Sequence, residues 1–471
     1  MTDQGIVQAG ATPLNRRVDG HTNEVTSSRV AVFGAGVSGR AIAELVSQRG
    51  GQAVLFDDKA SDAEQNLPEN FAQAFETFVF SPGISPSHRW QKQVSQYIPP
   101  QQIFGELGFA LQFWPGRVLG VTGTNGKTTV TLLLEAFLQA SARGRVVACG
   151  NIGKPCAEVI REWKEASADD WLVVEISSFQ AAIPNGIRLD GLVWTNFAPD
   201  HLDWHGDLDC YFAAKAKLLS CLNEGAPVVM DAAVASRLGI TDSAQDRAAC
   251  ALVYQRVNST DSQLVAIAQS SPDIALTNLP ENFRRLPQLS NWQQVATLLA
   301  LMGLLPEPAS SSQILQSFAP PPHRLHKVST VAGIDYWNDS KATNPHAALA
   351  ALKAFEQPLC WLVGGRNKGI DLDDFAQQAA ALLPAGSHVL TFGEAGREFQ
   401  LALSKQQLNV SHHPDARTLV EPAHCLCKTH RLQTVLLSPG FASFDAFDGY
   451  AARGKNFISQ VLCLKDNPAL A

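Results

Sequence analysis

The sequence predicts an α/β protein of three domains, each built on a parallel sheet covered by helices. Three observations carry this reading. Apolar runs of strand length alternate with helical patterns almost throughout, two of those runs end in glycine-rich turns that lead straight into helices, and a segment rich in proline and serine interrupts the pattern near residues 306 to 322. At 471 residues the chain exceeds one ordinary core, and at roughly 100 to 200 residues per domain it divides into about three.

Residues 1–28 are polar, lack the apolar stretch of a secretory signal and read as a disordered tail. The first domain is expected over 29–115. Its strand-length runs are "RVAVFGAG", "QAVLFDD" and "TFVFSPG", with "RAIAELVSQRG" between the first two as a helix ending on Gly50. After Trp114-Pro115-Gly116 the pattern restarts, and a second domain is expected over 116–319. It opens with the strand "RVLGVTG" and the helix "TTVTLLLEAFLQASARG", continues through "DDWLVVEISS" and "LDGLVWTNFAPDHLD", and reaches a helix containing "YFAAKAKLLSCL" and the strand "APVVMDA". Residues 240 to 290 carry only weak assignments. The stretch "PEPASSSQILQSFAPPPHRL" reads as a linker, after which "IDYWNDS", "LCWLVGG", "HVLTFGE" and "TVLLSPG" resume the alternation in a third domain, 320–471. No short internal repeat is evident.

Composition narrows the function. Hydrophobic residues make up 45% and charged residues 17%, a globular balance, and no apolar stretch approaches the roughly 20 residues a membrane span needs. A formal charge of −7 without a Lys/Arg-rich run argues against a nucleic-acid surface. Nine cysteines are scattered, and only Cys425 and Cys427 lie close, too close for the paired spacing of a structural zinc site. Buried free thiols in a reducing cytoplasm are expected. The composition favours small-molecule chemistry, with neither nucleic acid nor membrane as partner.

Gly34-Ala35-Gly36-Val37-Ser38-Gly39 has the spacing G-x-G-x-x-G at a strand-to-helix turn, where free N–H groups of the helix N-terminus attract an anion. Asp57 ends the next apolar run, where a ribose-binding acid belongs. Taken alone this leaves a nicotinamide dinucleotide and other anionic ligands open. The stronger signal is "GVTGTNGKTTVT", in which Thr122-Gly123-Thr124-Asn125-Gly126-Lys127-Thr128-Thr129 separates a buried strand from a helix. Backbone N–H groups there cradle phosphates, Lys127 reaches the terminal phosphates and the Thr128 hydroxyl suits a magnesium ion, although Val121 takes the place of the first glycine of the strict pattern. Glu175 follows four apolar residues in "WLVVEISSF" and offers a carboxylate at a strand end. Farther on, "TNFAPDHLDWHGDLDCYFAAKAKLL" carries His201, nearby acids and, on the following helix, Lys215.

These stretches, together with "GNIG" at 150 to 153, "EISSFQ" at 175 to 180, "PHRL" at 322 to 325 and "NDSKATNP" at 338 to 345, stand in the order found in the Mur ligases, and over about residues 29 to 463 the chain resembles that family. The resemblance implies a Rossmann-like N-terminal domain for a UDP-sugar, a central P-loop-type ATPase domain and a Rossmann-like C-terminal domain for an incoming amino acid. It implies that ATP phosphorylates a substrate carboxylate to an acyl phosphate, which the amine of the amino acid then attacks. Gly123, Thr124, Asn125, Gly126, Lys127, Thr128 and Thr129 would hold the phosphates, Thr128 and Glu175 one magnesium ion, and His201 a second. Lys215 matches a lysine that carbon dioxide carbamylates, turning a cation of pKa about 10.4 into an anionic oxygen ligand. Asn151 and His201 align near the muramoyl-alanine part of the substrate, and Arg324 and Asp339 with ATP contacts. Ser38 and Asp57 would lie by the uridine, the glycine turn by the diphosphate, with Ser81-Pro82-Gly83 closing that pocket.

The same resemblance places the amino acid among Lys341, Thr343, Lys368, Ser443, Phe444 and Tyr450. The relative that takes meso-diaminopimelate carries a D-N-P-R motif absent here, which favours D-glutamate and makes UDP-N-acetylmuramoyl-L-alanine the acceptor. A cytoplasmic monomer serving peptidoglycan precursor synthesis is implied. Two departures stand out. The family's H-N-x-x-N signature corresponds to Ser290-Asn291-Trp292-Gln293-Gln294, where Gln294 offers its amide to the adenine, and Asp58 stands where a hydroxyl residue is common. Ligases that add L-alanine to muramic acid or glutamate to folate, a nicotinamide oxidoreductase, and a nucleotide sensor without turnover are the competing readings.

Overall fold

The structure, a computed structural model, describes residues 28–240, 252–256, 264–268, 279–280, 283 and 286–465. Apart from Ser28, the expected N-terminal tail lies outside them.

The first sheet holds β1 (Arg29–Phe33), β2 (Gln52–Phe56), β3 (Thr77–Phe80) and β4 (Ile103–Gly105), in the order β2-β1-β3-β4 and parallel throughout. Its helices are α1 (Val37–Gln48), α2 (Phe71–Ala74), α3 (Arg89–Tyr97) and α4 (Glu106–Leu111). Helix α1 buries Ala41, Ile42, Leu45 and Val46, one face at helical spacing. It starts at Val37, three residues before the expected "RAIAELVSQRG", because the glycine turn feeds directly into it. With β1 between β2 and β3, the strand order reverses there and a crevice opens at the carboxyl ends of β1 and β3.

The second sheet contains β5 (Arg117–Thr122), β6 (Val146–Gly150), β7 (Trp171–Glu175), β8 (Gly191–Trp194), β9 (Pro227–Met230), β10 (Leu252–Arg256) and β11 (Leu264–Ala268), ordered β11-β10-β9-β8-β5-β7-β6. Strands β5 to β9 are parallel, whereas β10 and β11 pair antiparallel, inside the weakly assigned stretch 240 to 290. The helices of this region are α5 (Lys127–Ser141), α6 (Cys156–Glu162), α7 (Ser178–Ala181), α8 (Leu202–His205), α9 (Leu208–Ala216), α10 (Ala232–Arg237) and α11 (Gln288–Leu301), and the next helix, α12 (Pro308–Ser317), belongs to the unit of the third sheet. Helix α12 falls where a linker was expected. Pro308 sits at its first position, where a missing N–H costs nothing, and Ser311 and Leu315 bury at a spacing of one turn. Composition alone concealed it.

The third sheet runs β12 (His326–Val331), β13 (Ile334–Asn338), β14 (Cys360–Gly364), β15 (His388–Phe392), β16 (Asn409–His413) and β17 (Thr434–Gly440), in the order β12-β13-β17-β14-β15-β16. Only β12 is antiparallel to its neighbour. Around it lie α13 (Pro345–Leu352), α14 (Leu372–Leu382), α15 (Gly396–Lys405), α16 (Val420–His430) and α17 (Tyr450–Lys465).

The chain forms two compact units, one carrying the first two sheets and the other the third. Within the first unit a single apolar cluster runs from β1 and α1 through Leu107, Phe109, Ala110 and Leu111 of α4 and Cys156, Val159 and Ile160 of α6 to β5, β7, β8 and β9. Among the described cysteines, all free, Cys210, Cys425 and Cys463 are exposed, contrary to the expectation of buried thiols. Cys425 and the buried Cys427 are two residues apart on one helix, which turns them to different faces.

Candidate active site

At the crevice of the first sheet, Ser81 donates from its N–H to Phe33 O at 2.9 Å and from its hydroxyl to Gly34 O at 3.2 Å, fastening the two loops together. A Cβ on residue 39 would lie 1.8 Å from Gly34 O, so the third glycine of the motif serves helix–strand packing. Gly36 has nothing within 4 Å of that position, and Ser38 is half-buried beside it. Asp57 Oδ2 accepts from Ala35 N–H at 2.8 Å, and Oδ1 accepts from Lys59 and Ala60 N–H at 2.9 and 3.0 Å. Those backbone donors hold its carboxyl below the usual range. Asp58 bonds His88 at 3.0 Å and Arg89 at 2.7 Å, which compensates the extra charge the sequence places there.

In the second sheet the register sets Val121 and Gly150 on either side of Glu175, and Thr122 against Trp194, so four strand ends share one edge. The phosphate loop starts there. Gly123 has φ +141°, and a Cβ on it would lie 2.0 Å from Thr195 Oγ1, so only glycine fits. The loop is tied to the end of β8: Thr124 N–H donates to Asn196 O, Asn125 N–H to Asn196 Oδ1 at 2.9 Å, and Thr195 Oγ1 to Asn125 O at 2.6 Å. Lys127 Nζ curls over its own loop, donating to Gly123 O at 3.0 Å and Thr124 O at 2.9 Å. Gly126 caps α5, and Thr128 and Thr129 occupy its first turn.

Glu175 is buried, and only one of its carboxylate oxygens is used: Oε1 accepts from Asn151 Nδ2 at 2.7 Å, while Oε2 is buried with no hydrogen-bond partner. An orphaned carboxylate oxygen beside a phosphate loop fits a magnesium ion. Among the described residues no three His, Cys, Asp or Glu side chains gather as a metal cage. Lys215 is 1% exposed and donates to Gly123 O at 2.8 Å, with its Nζ 4.9 Å from the Tyr211 ring centroid. The Tyr211 hydroxyl in turn meets Thr124 Oγ1 at 3.1 Å.

His201 precedes α8 with φ +53°, a left-handed conformation uncommon outside glycine, and its ring packs 4.8 Å from Phe179. One turn on, His205 bonds Ser178 Oγ at 2.9 Å. Gln294 Nε2 donates to Thr195 O at 2.9 Å, so it reaches the strand edge that clamps the phosphate loop, whereas Asn291 bonds Gln288 within its own helix.

In the second unit, β13, β17 and β14 lie side by side, with Asn338 opposite Leu437 and Gly364 opposite Gly440. The loops leaving these strands carry Asp339, Lys341 and Thr343, then Ser443 and Phe444, then Lys368. Asp339 accepts from Leu325 N–H at 3.0 Å and from Ser438 Oγ at 2.8 Å. Burial raises its carboxyl to about 7 against those bonds and the pull of Arg324 and Arg453. Arg324 lies between two left-handed residues, His323 at φ +64° and Leu325 at φ +46°. Lys341 Nζ stands 4.0 Å over the Tyr450 ring and Lys368 Nζ 5.7 Å over the Phe444 ring, pairing two cations with the two aromatics expected near the amino acid. Ser443 is buried, and Thr343 half-buried.

Sequence reasoning passed over Tyr211, Thr195 and Asn196, although each sits inside a quoted motif, Tyr211 one helical turn before Lys215. It also passed over Arg453, buried on α17, which donates to Ser340 Oγ at 3.0 Å, to Ser340 O at 2.9 Å and to Phe441 O at 3.2 Å, and so binds two site loops together. Nothing in the local pattern "GYAARGKNF" marks that arginine as buried.

Two α/β nucleotide-type edges in one unit, one with a lysine phosphate loop facing an orphaned glutamate, and a third cation-bearing edge in the other unit define a nucleotide-dependent enzyme of the ligase type. Family comparison agrees: the Mur ligase middle domain matches residues 121–280 and the Mur ligase glutamate ligase domain residues 323–441. The chain belongs to the Mur ligase family. It is 32% identical to the UDP-N-acetylmuramoylalanine--D-glutamate ligase of Thermobifida fusca (strain YX), covering 94% of this chain and 99% of that one. It is 33% identical to the enzyme of the same name from Gloeobacter violaceus (strain ATCC 29082 / PCC 7421), covering 92% and 99%. The fold is similar to MurF ligase from Thermotoga maritima in complex with ADP, at a TM-score of 0.51 and 15% identity, covering 93% of this chain and 95% of that one.

Proposed function

We propose that the chain is an ATP-dependent ligase that joins D-glutamate to UDP-N-acetylmuramoyl-L-alanine, in the cytoplasmic synthesis of peptidoglycan precursors. The observation that carries this reading is the pairing of the Lys127 loop with the orphaned Oε2 of Glu175, in a chain aligned over nearly its whole length with D-glutamate ligases.

A carboxylate is a poor electrophile, so the alanyl carboxylate first attacks the γ-phosphorus of ATP, and ADP leaves. The amine of D-glutamate then attacks the acyl carbon, phosphate departs with the bonding pair, and the amine loses its proton as the amide forms. Two anions must meet in the first step, so the site must supply positive charge where they meet. Lys127, with Gly123, Thr124, Asn125 and Gly126 of its loop, holds the phosphates at the start of α5. Thr128, Glu175 and His201 would hold magnesium, which neutralises phosphate charge when bound. Lys215 would contribute to the same site as a carbamate. Residues 29–115 take the UDP end at Gly34, Ser38, Asp57 and Ser81, residues 116–319 take ATP, and residues 320–471 bring Arg324 and Asp339 to ATP and Lys341, Thr343, Lys368, Ser443, Phe444 and Tyr450 to D-glutamate. The protein acts as a monomer.

Mass spectrometry of the product formed from UDP-N-acetylmuramoyl-L-alanine, ATP and magnesium with each of D-glutamate, L-glutamate, L-alanine and meso-diaminopimelate tests this. A mass gain of one dehydrated glutamate with the D isomer alone is expected, with stoichiometric ADP. Product with another amino acid, or none with D-glutamate, overturns it.

A further inference from the structure

Strand β6 ends at Gly150, which the register places directly opposite Glu175, the last residue of β7. Gly150 has φ +98°, and a Cβ on it would lie 2.6 Å from Glu175 O, so only glycine lets the chain turn away so close to that residue. The loop that follows is closed at its base: Gly150 N–H donates to Lys154 O at 3.0 Å, and the buried Cys149 and Cys156 meet with their sulfurs 3.2 Å apart. What this loop delivers is Asn151, which grips Glu175 twice. Its backbone N–H donates to Glu175 O at 2.8 Å, and its side-chain Nδ2 donates to Glu175 Oε1 at 2.7 Å.

The two bonds do different things. The backbone at Glu175 is already set by the sheet, with β5 on one side and β6 on the other, and Ile176 N–H extends the ladder to Val121 O at 2.8 Å. The carboxylate is not set by the ladder, because a glutamate side chain turns about several bonds and loses that freedom only when something holds it. Asn151 supplies the hold. A carboxylate accepts and does not donate, so the amide must present its nitrogen, and an aspartate at 151 could not replace it. Tying down Oε1 leaves Oε2, buried and without a hydrogen-bond partner, as the oxygen for a cation. We propose that Asn151 is a positioning residue for the cation site: by fixing Oε1, it holds the Glu175 carboxylate in the conformation that reserves Oε2 for magnesium. This role is separate from the acceptor contact that the family resemblance implies for Asn151, and it rests on the reading of Glu175 as a magnesium ligand. Side chains that orient a metal-binding carboxylate in this way change metal affinity by about tenfold to a hundredfold when removed.

Calorimetric titration with the β,γ-imido analogue of ATP, once with excess magnesium and once with EDTA, tests the proposal on the parent, Asn151→Ala, Glu175→Ala and the double variant Asn151→Ala/Glu175→Ala. Magnesium should tighten binding to the parent, and Asn151→Ala should lose about tenfold of that tightening while its affinity in EDTA stays within about threefold of the parent's. Because Asn151 acts through Glu175, the double variant should lose no more than Glu175→Ala alone. A magnesium effect in Asn151→Ala equal to the parent's, or losses that multiply in the double variant, overturns the proposal. Turnover gives a second readout: Asn151→Ala should need about tenfold more magnesium for half-maximal ADP release, and excess magnesium should recover most of kcat. A higher KM for the UDP-linked substrate with an unchanged magnesium requirement would make Asn151 an acceptor contact alone and overturns the positioning role. If Asn151→Ala fails to fold, Asn151→Ser, polar but too short to reach Glu175 Oε1, carries the comparison. The titration contains neither acceptor nor amino acid, so a parent that follows the expected magnesium pattern yet forms no product sinks the ligase reading and leaves the positioning role standing. A parent whose nucleotide binding ignores magnesium overturns the positioning role itself.

Discussion

Lys215 donates to the carbonyl oxygen of Gly123 at 2.8 Å from a position 1% exposed to solvent. A lysine is seldom buried so completely, and this one points at the first glycine of a phosphate loop. Its ammonium would oppose a magnesium ion close by, whereas its carbamate would attract one. Replacing Lys215 with alanine should reduce turnover by at least a hundredfold, and formate or acetate, supplied without chloride, should restore part of it by placing a free carboxylate in the gap. Steady-state ADP release with and without the added acid checks this, and full activity of the alanine variant would remove Lys215 from the mechanism.

Asp170, just before β7, gives a prediction about stability. Burial would raise its carboxyl, but the hydrogen bond from Arg145 and the N–H groups of Ser167 and Arg145 outweigh that and hold it at about 2. A depressed value means the ionised form favours the folded state, with the full benefit above about pH 4 and its loss as pH falls toward 2. Asp170→Asn should therefore cost about 2 kcal/mol at pH 7, and the gap should close on acidification. Urea unfolding of both forms at pH 7 and pH 3 measures it.

Arg453 is buried to 2% exposure, where desolvation draws its guanidinium down to about 10, and it spends its donors on Ser340 and on Phe441 O. No other cation has that flat, forked geometry. Arg453→Lys should raise the KM for D-glutamate by roughly tenfold, because the loops of Lys341 and Ser443 lose their common anchor, while the KM for the UDP-linked substrate stays put. Equal shifts in both constants would contradict this.

Much of the site is legible in the sequence because its chemistry is local. A phosphate loop is a strand, a run of glycines and a helix in direct succession, and a carboxylate such as Glu175 declares itself by ending an apolar run. What escaped notice is what distance in sequence hides. Thr195 and Asn196 secure a loop some 70 residues earlier, and Arg453 joins loops at 340 and 441. The antiparallel strands β10 and β11 and helix α12 were missed for another reason: short or serine-rich segments give a weak periodic signal until tertiary burial selects a face.

Helix α4 has a consequence for how the chain is divided. All six of its residues are buried, and its apolar side chains belong to a cluster shared by the first two sheets. A fragment ending near residue 116 would carry four short strands and a greasy helix with nothing to close over it, and one beginning there would lose the other half of the same interior. The junction near residue 116 thus does not separate two folding events. The first two sheets should melt together, as one cooperative body.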